Sequence, residues 1–114
     1  MASNRPVVPA VAVPPGRILK RELEARGWTQ KGLAQVLGRP QQVISELVNA
    51  SKAIAPETAI ELAVAFGTSA EYWLSLEAHY RAALARLRVR KSRISTIEKR
   101  KHSYEAALAR KRAA

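Results

Sequence analysis

The sequence predicts an all-α fold of five short helices followed by a basic, helical C-terminal extension. Three observations predict it. Apolar residues recur at spacings of three and four between glycine and proline stops, and no stretch alternates as a strand would. The segment Gln30-x-x-x-Ala34-x-x-x-Gly38-x-x-x-x-x-Ile44-x-x-Leu47 has the spacing that two short, tightly crossing helices need. Charge is also uneven: residues 1–80 carry eight Lys/Arg against seven Glu, whereas residues 81–114 carry twelve against Glu98 and Glu105.

Residues 1–14 are rich in Pro, Val and Ala without helical period and read as a flexible arm. Their run Val7–Pro14 resembles a signal-peptide core only superficially, because prolines interrupt it and no basic stretch precedes it. Helix 1 begins at Pro15 or Gly16, buries Ile18, Leu19 and Leu23, and stops at Gly27. Trp28 then plugs one end of the core, and Thr29 is a good N-cap for helix 2, Gln30–Leu37. Within this pair Ala34 must be small where the helices approach most closely. Gly38 supplies the turn, since a positive φ is cheap only without a Cβ.

Helix 3 is expected to start with Pro40 at its first position and to end near Val48, with Arg39 as a poor cap. Val43, Ile44 and Leu47 face inward with Leu33 and Leu37, and Asn49–Lys52 form a loop. Helix 4 opens on Pro56 and Glu57, buries Ala59, Ile60, Ala63 and Phe66, and stops at Gly67. Ser69 caps helix 5, whose stripe is Trp73, Leu74, Leu76, Tyr80, Leu84 and Leu87. That stripe outruns a minimal core, so Leu76, Tyr80, Leu84 and Leu87 are candidates for a dimer surface. Residues 92–112 carry Ile94, Ile97, Tyr104 and Leu108 in a loose heptad interrupted by Lys101. The domain expectation is an arm over 1–14, a folded domain over 15–88 and a basic tail over 89–114.

The crossing pattern is that of a helix-turn-helix, whose second helix lies in the DNA major groove; an αα-hairpin in an ordinary bundle is the plainer alternative. If Ile44 and Leu47 face in, then Arg39, Gln41, Gln42, Ser45 and Glu46 face out near the helix N-terminus as candidate base readers. Gln pairs bidentately with adenine and Arg with guanine, while Glu accepts from cytosine N4 or acts as a negative selector. Thr29, Gln30, Lys31, Asn49 and Lys52 are candidate phosphate contacts, the first three at a helix N-terminus that suits an anion. A single such helix reads too few base pairs for useful specificity. A homodimer on half-sites roughly 34 Å apart, hence palindromic duplex DNA, follows from function rather than from any residue pattern.

Other chemistries find little support. The chain has no cysteine, which excludes disulfides and thiolate metal sites and suits a reducing cytoplasm. His79 and His102 are the only histidines, no metal-ligand spacing surrounds them, and no glycine-rich phosphate loop follows a strand. Neither enzyme activity, a cofactor nor a small-molecule substrate is expected, and no apolar run approaches the roughly 20 residues of a membrane span.

From Pro15 to about Tyr80 the chain resembles the HigA-type (VapI-like) antitoxins of the XRE helix-turn-helix family. The residues that carry the resemblance are Pro15-Gly16-x-Ile18-Leu19, Trp28-Thr29-Gln30, Ile44-Ser45-Glu46-Leu47-x-Asn49, Ala53-Ile54, Thr58-Ala59 and, most specific, Gly67-Thr68-Ser69-Ala70-Glu71-Tyr72-Trp73-Leu74-x-Leu76. Gln41-Gln42 also resembles the paired glutamines of lambdoid phage repressors. The resemblance implies a five-helix lambda-repressor-like domain and a bacterial, cytoplasmic, nucleoid-associated homodimer that binds operator DNA and represses its own operon. It also implies a cognate toxin, usually a RelE-like mRNA endoribonuclease held inactive in the complex. Ala50 stands where the family usually has glycine, and Ala55 where it has a Thr cap. The basic tail is not part of the family pattern and should repel a basic toxin, so such a toxin docks on the nearly neutral N-terminal part. The alternatives are a stand-alone repressor without a toxin and a basic module that binds RNA or a membrane surface.

Overall fold

Local end signals define the helices. The computed structural model describes residues 13–113, so the expected arm lies outside them apart from Val13 and Pro14. Among the described residues the fold is all-helical: α1 Pro15–Arg26, α2 Gln30–Leu37, α3 Gln41–Val48, α4 Pro56–Phe66, α5 Ala70–Arg88 and α6 Lys91–Ala113. Pro14 joins the fold as the N-cap of α1. Thr29 caps α2 as expected, its hydroxyl oxygen accepting from Gly32 N at 2.9 Å. Ser69 likewise accepts from Tyr72 N at 3.0 Å in front of α5. Helix 3 starts one residue later than expected, because Pro40 with ψ 145° is extended and serves as the N-cap rather than as the first helical residue.

Four helices end in the same way. After α1, α2 and α4 the chain turns through Gly27, Gly38 and Gly67 at φ 69°, 68° and 71°. After α3 the turn passes through Ala50 at φ 61°. There Ser51 N donates to Glu46 O at 3.0 Å and Ala50 N to Leu47 O at 3.2 Å, the bond pair of a Schellman cap.

The chain divides into two compact units, one reaching to Ala83 and one beginning at Leu84. In the first, Leu19 and Leu23 of α1, Leu33 and Ala34 of α2, Ile44 and Leu47 of α3, Ile54 of the following loop, Ala59, Leu62 and Phe66 of α4, and Trp73 of α5 form one core. Helix α3 packs on α1 and α2, and α2 also packs on α4. Trp28 closes one end as expected, its ring 5.5 Å from Phe66, which in turn lies 5.8 Å from Trp73. The buried Trp73 indole donates to Thr68 Oγ1 at 2.8 Å and so leaves no unpaired donor. Arg26 donates to the last carbonyl of α4, Phe66 O, at 3.1 Å, with its guanidinium 4.8 Å from the Phe66 ring centroid.

One inward assignment fails. Ile60 is 57% exposed, and Leu62 fills the core in its place. Ile60 lies one residue past the buried Ala59, and on a helix that step turns a side chain off the inner face. Along α5, Leu74 and Leu76 pack against the core beside Trp73. Ala83 is also buried, although its small side chain gives little sequence signal.

Candidate nucleic-acid interface

Helix α3 is anchored from below by Ile44 and Leu47, both essentially inaccessible to solvent. That anchoring turns Gln41, Gln42 and Asn49 outward, while Ser45 and Glu46 are half-buried along the same face. Two hydrogen bonds run along it: Gln42 Nε2 donates to Glu46 Oε2 at 3.3 Å, and Asn49 Nδ2 to Ser45 Oγ at 3.5 Å. The outer face of α3 is therefore a row of amides, a hydroxyl and a carboxylate, the groups that read donors and acceptors on base edges.

Arg39 behaves differently from its expected neighbours. Its guanidinium makes a forked pair with Glu61 of α4, with Nε to Oε1 at 3.0 Å and a second bond from Nη2 to Oε2. The hydrogen bond from Arg39 holds the Glu61 carboxyl below the usual carboxylate range, and the same bond raises Arg39. The charge that makes a poor cap thus ties the turn before α3 to α4. Glu61 has no counterpart among the sequence candidates, since its partner lies 22 residues away.

The N-termini of α2 and α3 share a second property. Neither carries an acidic residue in its first turn, nor do α1 and α6, whereas α4 and α5 carry Glu57 and Glu71 there. The positive ends of α2 and α3 are left uncompensated, the condition under which helix N-termini attract phosphate. The Thr29 hydroxyl accepts from Gly32 N and keeps its own proton free to donate. Gln30 is half-buried, and Lys31 and Lys52 are exposed. The loop carrying Lys52 is fixed at its far end, where Glu77 of α5 accepts from Ile54 N at 3.1 Å and also pairs with Arg81.

Gly16, read above as a possible helix start and as part of a motif, has a further structural role. A Cβ placed there would overlap the carbonyls of Leu47 and Val48, so α1 lies directly on the C-terminal end of α3. The dimer candidates do not form one free face: Leu76 is committed to the core, Tyr80 and Leu84 are half-buried, and Leu87 is 68% exposed. Among the described residues no group of His, Asp or Glu has a metal-binding arrangement, and no helix is long and apolar enough to cross a membrane.

Residues 19–73 match the family model described as Helix-turn-helix. The antitoxin HigA-1 of Vibrio cholerae is 41% identical over 63 residues, which cover 54% of this chain and 59% of that protein. An addiction module antidote protein of the HigA family from Coxiella burnetii superposes with a TM-score of 0.65 at 32% identity, over 77% of this chain and 92% of that one. The Pseudomonas aeruginosa antitoxin HigA, solved with the higBA promoter, gives a TM-score of 0.63 at 31% identity, over 65% of this chain and 82% of that one. Agreement in fold and in sequence over nearly the whole of the Coxiella relative places this chain in the HigA-type antitoxins of the XRE helix-turn-helix family, a class of regulators rather than enzymes.

Proposed function

We propose that this protein binds the operator of its own operon as a homodimer and represses it, with α3 as the base-reading helix. The observation that carries this reading is the outer face of α3. It is a polar row held rigidly over Ile44 and Leu47 and flanked by two helix N-termini without compensating acid. Gln41, Gln42, Ser45 and Glu46 contact base edges, and Arg39 joins them when it exchanges Glu61 for a guanine. Thr29, Gln30, Lys31, Asn49 and Lys52 hold phosphates. The solved relative with the higBA promoter supports DNA as the ligand. Work is done in the cytoplasm at the nucleoid, on half-sites about 34 Å apart.

Family membership further supports an antitoxin role: the first 80 residues, nearly neutral, bind and silence a cognate RelE-like mRNA endoribonuclease. A second reading, a repressor without a toxin, is favoured by the concentration of twelve Lys/Arg after residue 80, which opposes a basic toxin. A neighbouring reading frame for a small basic protein, toxic when expressed alone and harmless with this chain, decides for the antitoxin. Its absence decides for the repressor. The DNA-binding claim itself is tested by competition between the duplex upstream of the gene and a scrambled duplex. A preference on the order of 10³ is expected, and equal affinity would instead indicate a general polyanion binder.

A further inference from the structure

Helix α6 is 23 residues long and buries none of them. Its apolar residues are on display: Ile94 is 46% exposed, Ile97 48% and Tyr104 67%, with Leu108 half-buried. These four side chains fall within an arc of about 80° on an α-helix. A helix that buries none of its residues has little to hold it in water, so this stripe calls for a partner.

We propose that α6 pairs with α6 of a second copy of this chain in a parallel, in-register, two-stranded coil. The inference deepens the homodimer reading above and rests on it. The charges choose the occupant and its direction. With Ile94, Lys101 and Leu108 at the a positions and Ile97, Tyr104 and the terminal Lys111 at d, Arg93 and Arg100 fall on g, and on e, between Lys91 and Arg112 at the two ends, fall Glu98 and Glu105. Those are the only two acidic residues after residue 80, and each follows a g arginine by five positions. In a parallel pair the g residue of one helix faces the e residue five positions on in the other. Arg93 then meets Glu98 and Arg100 meets Glu105, on both sides of the seam. In an antiparallel pair g faces g and e faces e, so arginine would meet arginine and glutamate would meet glutamate. Lys101 at the central a position snorkels to solvent and disfavours the drier core of larger assemblies, at a cost in affinity. Eight Lys/Arg against two Glu leave each α6 strongly positive, so salt that screens the net repulsion strengthens the pairing.

The chain has no native cysteine, which permits a direct test on the full-length protein. Ile97→Cys and Ser103→Cys are oxidised separately at about 0.5 M salt, where screening is short-ranged. The coil brings Ile97 to the seam and keeps Ser103 outside, so dimer cross-linking at 97 is expected to run about ten-fold faster, as disulfide geometry demands close Cβ atoms. Adding Glu98→Arg and Glu105→Arg to Ile97→Cys abolishes the advantage. Mixing that chain with an Arg93→Glu, Arg100→Glu, Ile97→Cys chain restores it as a heterodimer. Equal rates at 97 and 103, or a 97 rate indifferent to charge reversal, overturns the coil. If the chain then still occupies two half-sites on its upstream DNA, the homodimer reading survives; if it occupies one, both fall.

Discussion

At Ala50 the backbone adopts φ 61°, a conformation that three other helices in this chain reach only with glycine. An L side chain in this region costs about 1–2 kcal/mol, part of which a glycine would return as unfolded-state entropy. Ala50→Gly is therefore expected to stabilise the protein by about 0.5–1 kcal/mol and to raise the thermal midpoint by a few degrees, read by circular dichroism. A lower midpoint would mean that the Ala50 methyl makes a contact worth more than the strain. The departure from glycine is legible in sequence through the family resemblance, whose pattern has glycine there, while the glycine stops of α1, α2 and α4 follow one local rule. The Arg39–Glu61 pair is not legible, since nothing local links residues on different helices. Its pH dependence follows from the lowered carboxyl of Glu61. The stabilisation is complete above the ordinary carboxylate range and disappears as acid titrates Glu61 through its folded value. At neutral pH the pair stays closed.

The junction of α1 with α3 decides whether α3 is held in place. Gly16 sits where any Cβ would collide with backbone carbonyls of Leu47 and Val48, which cannot swing aside as a side chain does. Helix propensity alone would favour alanine at this position by about 1 kcal/mol. The collision outweighs it, so Gly16→Ala is expected to lose about 1–3 kcal/mol in urea unfolding. An alanine variant as stable as the parent would show that α1 does not seat on α3 as described. Helix boundaries were readable because glycine, threonine and serine act on their own neighbours. Facing was harder in α4, where Ala59, Ile60, Leu62, Ala63, Val64, Ala65 and Phe66 leave few polar residues to mark the solvent side. Ile60 and Val64 end up outside, Val64 at 82% exposure, and Leu62 inside. In α3 the pattern is sharper: Gln41 and Gln42 are exposed as the spacing predicts, while Ser45 and Glu46 are half-buried beside them. Gly16 could not be read this way, because its constraint lies on a helix about thirty residues away.

Over the whole molecule, charge divides the labour that we propose. The part up to residue 80 is nearly neutral, and we expect it to discriminate by shape and hydrogen bonding, with the remainder adding sequence-independent attraction to DNA. Ending the chain after Arg90 removes eight Lys/Arg and two Glu. The slope of log affinity against log salt should become shallower, by up to about 0.9 for each phosphate no longer neutralised, and loss of the proposed α6 coil should weaken preference for the upstream sequence as well. An unchanged slope would remove the tail from the DNA interface. Composition made this asymmetry plain, but it gave no sign that the first compact unit closes at Ala83, within the long α5.

The most direct measurement compares wild type and Gln42→Ala on the upstream duplex and on a scrambled one at a single salt concentration. The amide of Gln42 is exposed and, among the described residues, bonded only to Glu46 on its own helix, so its removal leaves the core intact. If α3 reads bases, the substitution weakens upstream binding by about 1–3 kcal/mol and leaves scrambled binding unchanged. Equal losses on both duplexes, or no loss on either, would contradict α3 as the reading helix.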